Sequence, residues 1–305
     1  MRTSEDVRRE LARVAPAREC DRRAELSALF HSAGSLHLRG HGEWALHLDL
    51  GSGAAARRAF ALLREEGIRS EIRTYRRRAF ERETRYQLHV EGGEDALTIL
   101  VAAGVVDRRH APLERPPRRV VARTCCRAAY VRGAFLGGGS LSSGHSPHLE
   151  LRTASPAAAA LLVDIAAATH MRLGLAERDT HSVAYAKGWE TIESLLALAG
   201  ATETVLALEE RAVLASARAN ANRLANADHA NLVRTNRAAQ PQLEAARRLR
   251  DEGRLARLPP DLREAAALRL RHPTLSLREL AARSEPPASK AALHRRLRRI
   301  EQLAG

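Results

Sequence analysis

Lysine is almost missing from this chain of 305 residues; Lys187 and Lys290 are the only two. Arginine therefore carries nearly all of a formal net charge of +14. The abundance of Arg and Ala fits GC-rich coding, which selects Arg over Lys but does not create an excess of cations over anions. That excess makes polyanions the natural partners, nucleic acid before anionic membrane. Aromatic residues make up only 3%, so the cores must be built from Ala, Leu and Val. Three cysteines cannot form a disulfide framework and fit a reducing cytoplasm. The longest apolar stretch, Ala157–Met171, is interrupted by Asp164 and His170 and is too short to span a bilayer. The first 14 residues are charged throughout and do not read as a signal peptide. The expectation is a soluble cytoplasmic protein with no membrane partner. At 45% hydrophobic residues it is long enough for two folded domains.

What is present is a repeat. Cys20-Asp-Arg-Arg-Ala-Glu-Leu-Ser-Ala-Leu-Phe-His-Ser-Ala-Gly-Ser-Leu36 aligns without a gap on Cys125-Cys-Arg-Ala-Ala-Tyr-Val-Arg-Gly-Ala-Phe-Leu-Gly-Gly-Gly-Ser-Leu141. Identical pairs include Cys20/Cys125, Arg22/Arg127, Ala24/Ala129, Gly34/Gly139, Ser35/Ser140 and Leu36/Leu141. After the first copy, strand signals fall at Ser35–Leu38, Trp44–Leu50, Ile68–Tyr75 and Tyr86–Val90, with helices near Ala54–Glu66 and Glu94–Ala103. After the second, strands are expected at Ser140–Leu141, His148–Arg152 and Ser182–Ala186. A helix capped by Ser155 and begun by Pro156 comes before the last of these, and one over Glu190–Ala199 follows it. Each copy thus heads an α+β unit with an antiparallel sheet. The expected layout is an N-terminal helix capped by Ser4 over 1–18, halves at 19–110 and 122–206 joined by a Pro-rich linker at 111–121, connecting helices over 207–253, and an all-α domain over 254–305. Across the second half's end and 207–253 the reading is a helix from Val205 to Leu224, an Asn-rich segment, and a new helix opened by Pro241.

The final segment has the grammar of a helix-turn-helix. Pro259-Pro260-Asp261 opens a helix ending before Pro273. Ser276-Leu-Arg-Glu279 is a capping box starting a short helix. Ser284-Glu-Pro-Pro287 is the turn, and Ser289 caps a last helix to about Leu303. On that helix Leu293, Leu297, Ile300 and Ala304 form one stripe, expected to pack on Leu277 and Leu280. The opposite face carries Lys290, His294, Arg295, Arg298 and Arg299. From Arg254 onward there are 12 Lys/Arg against 5 Asp/Glu, so half of the chain's excess charge lies in its last sixth. Ser289, Lys290, His294 and Arg295, nearest the helix start, are the candidates for reading base edges in a major groove. Arg298, Arg299 and Arg278 are candidates for phosphate. The competing reading is a solvated Arg-rich helix.

The repeat segments resemble the signature helices of LAGLIDADG homing endonucleases, which pack together at a pseudo-twofold axis. Ala28, Gly34, Gly133, Gly137, Gly138 and Gly139 are the small residues that such packing requires. The resemblance implies that cleavage would need an acid just before the last Gly of each motif to hold a divalent metal. Ala33 and Gly138 stand there, and neither offers the oxygen ligands a hard cation needs. Together with Asn222-Arg-Leu-Ala-Asn226, Ala230-Asn-Leu-Val-Arg-Thr235 and Ser289-Lys-Ala-Ala-Leu-His-Arg-Arg-Leu-Arg-Arg-Ile300, the repeat identifies the whole chain as similar to the WhiA family of bacterial regulators. The resemblance implies a pseudo-twofold LAGLIDADG-like domain followed by a helix-turn-helix. It also implies a DNA-binding transcription regulator, not an enzyme, acting at promoters in cell division, chromosome segregation and, in spore formers, sporulation. A WhiB-type iron–sulfur regulator or the transcription machinery is the implied protein partner. Arg234 stands where the family usually has Lys, which keeps the charge for a phosphate contact. Thr180–Trp189 matches only loosely.

Other constellations carry less. Arg73, Arg76, Arg77 and Arg78 lie in a basic hairpin that reads either as a secondary DNA-contacting saddle or as a solvated tip. Asn220–Arg237 reads either as a polar helix crossing the phosphate backbone or as an interdomain linker. His31, His37, His41 and His47 lack metal spacing and read as surface residues. Nothing in the sequence completes a nucleophilic or metal site at Cys125 and Cys126, which read as packing residues. Gly137–Gly139 lacks the Lys-Ser/Thr of a phosphate loop. No cofactor or metal is expected. The rival functional classes are a metal-dependent endonuclease and a chromosome-associated structural protein with low sequence selectivity.

Overall fold

The computed structural model describes residues 3–40, 43–76, 84–142 and 147–305. The chain divides into two compact units, Met1–Ala212 and Val213–Gly305.

The first unit is built twice from one plan. Helix α1 (Ser4–Leu11) precedes the first copy: α2 (Glu19–Ala33), β1 (Gly34–Gly40), β2 (Glu43–Leu50), α3 (Gly53–Glu65), β3 (Ser70–Arg76), β4 (Thr84–Glu91) and α4 (Glu94–Ala102). A short 3-10 turn at Arg118–Val121 leads into the second: α5 (Thr124–Gly138), β5 (Gly139–Ser142), β6 (His148–Thr153), α6 (Pro156–Ala167), β7 (Gly174–Arg178), β8 (His181–Lys187) and α7 (Trp189–Ala199). The strand orders are β1-β2-β4-β3 and β5-β6-β8-β7, antiparallel throughout. Period-two alternation does what the sequence implies, burying Leu46, Leu48 and Leu50 of β2 in a core they share with both motif helices. Strand β7 was not anticipated; Leu175 on it is 45% exposed, so it lacks the buried alternating face that marks a strand in sequence.

Each motif helix turns directly into a strand at a glycine, Gly34 or Gly139, whose N–H donates to Phe30 O or Phe135 O. A Cβ at Gly34 would sit 2.4 Å from Phe30 O, and one at Gly139 2.4 Å from the Phe135 ring. These two glycines therefore serve the helix-to-strand corner. At the α2–α5 contact itself lie Ala28, Gly133 and Gly137: a Cβ on Gly133 would meet Glu25 O at 2.3 Å and Ala28 Cβ at 2.9 Å, and one on Gly137 would meet Ser32 Cβ at 2.9 Å. Between these helices the buried Glu25 carboxylate accepts from Arg58 Nε at 2.9 Å and Arg132 Nε at 2.9 Å, and Arg132 also donates to Ala199 O.

Three expectations are corrected, two in this unit and one in the long helix that follows α7. Thr3, not Ser4, caps α1, in a capping box with Asp6, while the Ser4 hydroxyl accepts from Leu141 N at 2.8 Å. His31 is not a surface residue: it is buried, with Nδ1 2.7 Å from Ser27 O and Nε2 3.1 Å from Leu113 O, and burial holds its pKa below the usual histidine value. Pro241 does not open a helix. Helix α8 runs unbroken from Thr202 to Asp251, through both the Asn-rich segment and Pro241. Proline within a helix costs a hydrogen bond and a steric clash, roughly 3 kcal/mol. Here Ala239, Leu243, Ala246 and Leu249 are buried on either side of it, and that packing holds the backbone helical. The asparagines do not break the helix either: Arg223 and Arg234 donate to the side chains of Asn220 and Asn231 one turn earlier.

The second unit adds α9 (Pro260–Arg271), α10 (Leu277–Ala282) and α11 (Lys290–Ala304) to the last turns of α8. Its core joins Ala245, Ala246 and Leu249 to Leu262, Ala265, Leu280, Leu293, Leu297 and Ile300.

Candidate nucleic-acid interface

Local rules place α10 and α11 as a helix-turn-helix. Ser276 Oγ accepts from Glu279 N, and the Glu279 carboxylate accepts from Ser276 N at 2.8 Å. These bonds hold the Glu279 carboxyl below its ordinary pKa. Ser289 Oγ accepts from Ala292 N at 3.1 Å and starts α11. The turn before α10 is fixed by a residue that periodicity did not reveal. Arg269 is buried and donates to Gln242 Oε1 at 3.1 Å and Leu275 O at 2.7 Å. With no carboxylate beside it among the described residues, burial lowers its pKa. Its only sequence signal was an Arg on the inner stripe of α9, beside Ala265, Ala266 and Leu262. At the far end of α11, Arg248 and Arg254 donate to Ala304 O and Leu303 O, satisfying terminal carbonyls and matching the negative end of the helix dipole.

Helix α11 then has two unlike faces. Leu293, Leu297 and Ile300 are fully buried. Ser289, Lys290, His294, Arg295, Arg298 and Arg299 are exposed. Among the described residues the side chains of Lys290, His294, Arg295 and Arg298 make no hydrogen bond or ion pair, and that of Arg299 reaches only Gln302 Oε1 at 3.2 Å. Arg278 on α10 is also exposed. By contrast Arg296, next to Arg295, is half-buried against α9, 3.4 Å from Asp261 and 3.7 Å from Glu264.

The other predicted residues lie apart from this face in sequence and element. Arg234 is on the exposed middle of α8 and donates to Asn231. Arg73 and Arg76 lie on β3, exposed along its length beyond Ser70, with Arg73 paired to Glu71 at 3.0 Å. Arg77 and Arg78, like His41, lie outside the described residues.

The C-terminal ends of the motif helices carry Ala33 and Gly138. A Cβ at position 138 would lie 2.6 Å from Arg152 O of β6, so no side chain fits there unless backbone moves. Their N-terminal ends differ from expectation. The sequence reading that nothing accompanies Cys125 and Cys126 is corrected, because folding brings Cys20 and Asp21 beside them, with all four ligand atoms within 4.8 Å of one another. The repeat already paired Cys20 with Cys125; close crossing of the two helices makes that pairing spatial.

Two α+β lobes of one strand order, abutting through the paired helices α2 and α5, with a helix-turn-helix unit after them, define a LAGLIDADG-like fold followed by a helical helix-turn-helix module. Residues 19–106 match the WhiA N-terminal LAGLIDADG-like domain, 127–218 the WhiA LAGLIDADG-like domain and 221–304 the WhiA C-terminal HTH domain. The chain is 35% identical over 306 residues to the probable cell division protein WhiA of Heliobacterium modesticaldum, covering 100% of this chain and 96% of that one. It is 37% identical to the probable cell division protein WhiA of Parafrankia sp., covering 98% and 91%. The chain belongs to the WhiA family. Full-length WhiA from Thermatoga maritima, known from its crystal structure, has the same fold, with a TM-score of 0.60 at 24% identity over 98% of this chain and 96% of that one.

Proposed function

We propose that this chain is a sequence-specific transcription regulator that binds promoter DNA through α11 and does not cleave it. The observation that carries the reading is the exposed, unpaired cationic face of α11 opposite a fully buried apolar stripe. A helix anchored on one side and free on the other can enter a major groove without first breaking internal ion pairs. Ser289, Lys290, His294 and Arg295 read bases; Arg298, Arg299 and Arg278 hold phosphate; Arg234 adds a phosphate contact, and Arg73 and Arg76 a secondary one. The relatives are named probable cell division proteins, which supports cell division as the regulated process; by the family resemblance, chromosome segregation and sporulation extend it. A WhiB-type iron–sulfur regulator or the transcription machinery is the protein partner on the same ground. The site of action is the nucleoid in the cytoplasm. The non-cleaving reading rests on Ala33 and on the crowding at Gly138, where an added carboxylate would collide with β6.

Equilibrium binding of the full chain to a preferred promoter duplex and to a scrambled duplex tests this reading. Arg295→Ala is expected to lower affinity for the preferred site by about 1–3 kcal/mol and to relax sequence choice. Unchanged preference would move the reading face elsewhere. Genome-wide occupancy separates the regulator from an organising protein: sharp promoter peaks support the first, even coverage the second.

A further inference from the structure

We propose that the N-terminal ends of α2 and α5 together hold a structural zinc ion, ligated by the Sγ atoms of Cys20, Cys125 and Cys126 and by a carboxylate oxygen of Asp21. The proposed DNA-reading function does not use these residues.

The geometry comes first. Cys125 and Cys126 Sγ are 4.0 Å apart, and Cys20 Sγ is 3.6 Å from Asp21 Oδ1. In tetrahedral zinc with Zn–S of about 2.3 Å and Zn–O of about 2.0 Å, ligand edges are about 3.8 Å between sulfurs and about 3.5 Å between sulfur and oxygen. The two edges given are close to these lengths, and all four ligand atoms lie within 4.8 Å of one another. The donor set decides the ion. Three thiolates and one carboxylate suit zinc and not magnesium or calcium, which require a shell of oxygens. Four protein ligands close the shell, which marks a structural site with no open position for substrate. Cys126 and Asp21 are buried and Cys20 and Cys125 half-buried, so the ion has a path in and a dry seat.

Electrostatics supplies the second, independent observation. Arg18 and Arg123 are the N-cap residues of the two helices. Each reaches across to the other helix's cysteine: Arg18 Nη1 lies 3.7 Å from Cys125 Sγ, and Arg123 Nη1 lies 3.9 Å from Cys20 Sγ. Neither guanidinium has another partner among the described residues. Guanidinium donors aimed at sulfur, beside two positive helix ends, form an outer shell ready to hydrogen-bond the sulfurs once a cation has displaced their protons. Three thiolates, a carboxylate and Zn²⁺ sum to two negative charges, which the two arginines balance. On binding, the ion displaces the protons of the three thiols to solvent. No electron transfer is involved. The ion would clasp α2 to α5 at the end where Gly133 does not reach.

The test uses the full chain, reduced and stripped with a chelator, then titrated with Co²⁺ followed by Zn²⁺. The expected result is equimolar uptake with thiolate-to-cobalt charge transfer in the near ultraviolet and the visible bands of tetrahedral cobalt, all bleached by equimolar Zn²⁺. Cys20→Ser and Cys126→Ser should each diminish the charge-transfer band and release the ion to a weaker chelator. A reduced, folded chain showing only the spectrum of octahedral cobalt overturns the proposal. So does an intact mass lower by two hydrogens on mild oxidation, with no metal retained by the reduced protein, which would make the cluster a thiol–disulfide pair instead. Should the serine variants fail to fold, the cobalt spectrum of the unaltered chain decides the matter.

Discussion

Arginine does opposite work in two regions of this molecule. Between the motif helices, Arg58 and Arg132 are each 5% exposed and are committed to Glu25, itself fully buried. On α11, Arg295, Arg298 and Arg299 face solvent and have no carboxylate partner among the described residues. Net charge, +14 for the whole chain, cannot tell these groups apart. What separates an interface from scaffolding is whether the charge is already neutralised. A guanidinium that has lost its water to a buried carboxylate stabilises the fold and is invisible to DNA. One that keeps its water can exchange it, and the counterions of the phosphates it meets, for a contact.

The largest expected effect breaks the buried side of the comparison. Glu25→Gln keeps the shape but leaves buried Arg132 without an anion and buried Arg58 with only Glu65, 3.9 Å away. Removing one partner of a buried ion network costs about 3–5 kcal/mol. Urea unfolding followed by tryptophan fluorescence reads this directly, because both tryptophans, Trp44 and Trp189, lie in the first unit. A change below about 1 kcal/mol would mean that water or Glu65, 3.9 Å from Arg58, takes over the compensation.

That network was not legible in the sequence, and the reason is distance along the chain. Glu25 meets Arg58 across 33 residues and Arg132 across 107; no local pattern joins them. What the sequence did reveal was local or repeated. The capping box at Ser276 and Glu279, the cap at Ser289 and the stripe from Leu293 to Ala304 follow from backbone geometry within a turn or two. The duplicated lobes followed from one gapless alignment. The Asn-rich segment and Pro241 were misread because intrinsic propensity is a weak prior, overridden where Ala239 and Leu243 pack. The cysteine cluster lay between these cases. Its members sit at equivalent ends of two repeated helices, so the signal was present once the close crossing implied by Gly133 was taken to bring those ends together.

The exposed side of the comparison is sharpened by a smaller effect. Arg299→Ala removes a charge that, on the proposed reading, meets phosphate and not a base. Binding to preferred and scrambled duplexes should weaken alike, and the slope of log affinity against log salt should flatten by about one. A loss confined to the preferred sequence would make Arg299 a base reader.

The smallest effect belongs to Arg296, which tests whether pairing, rather than position, is the criterion. It sits between Arg295 and Arg298 in the most cationic stretch of the chain, and a count of charges would include it in the DNA face. One residue along an α-helix turns the side chain by about 100°, which takes Arg296 from the solvent side to α9, beside Asp261 and Glu264. Those contacts are 3.4 and 3.7 Å long and partly solvated, so the pair contributes at most about 1 kcal/mol to folding. Arg296→Gln should therefore lower stability slightly and leave both DNA affinity and salt slope close to those of the unaltered chain. If it instead weakens binding as much as Arg299→Ala does, its pairing to α9 gives way when DNA is bound, and α11 presents a broader cationic face than its two-sided packing implies.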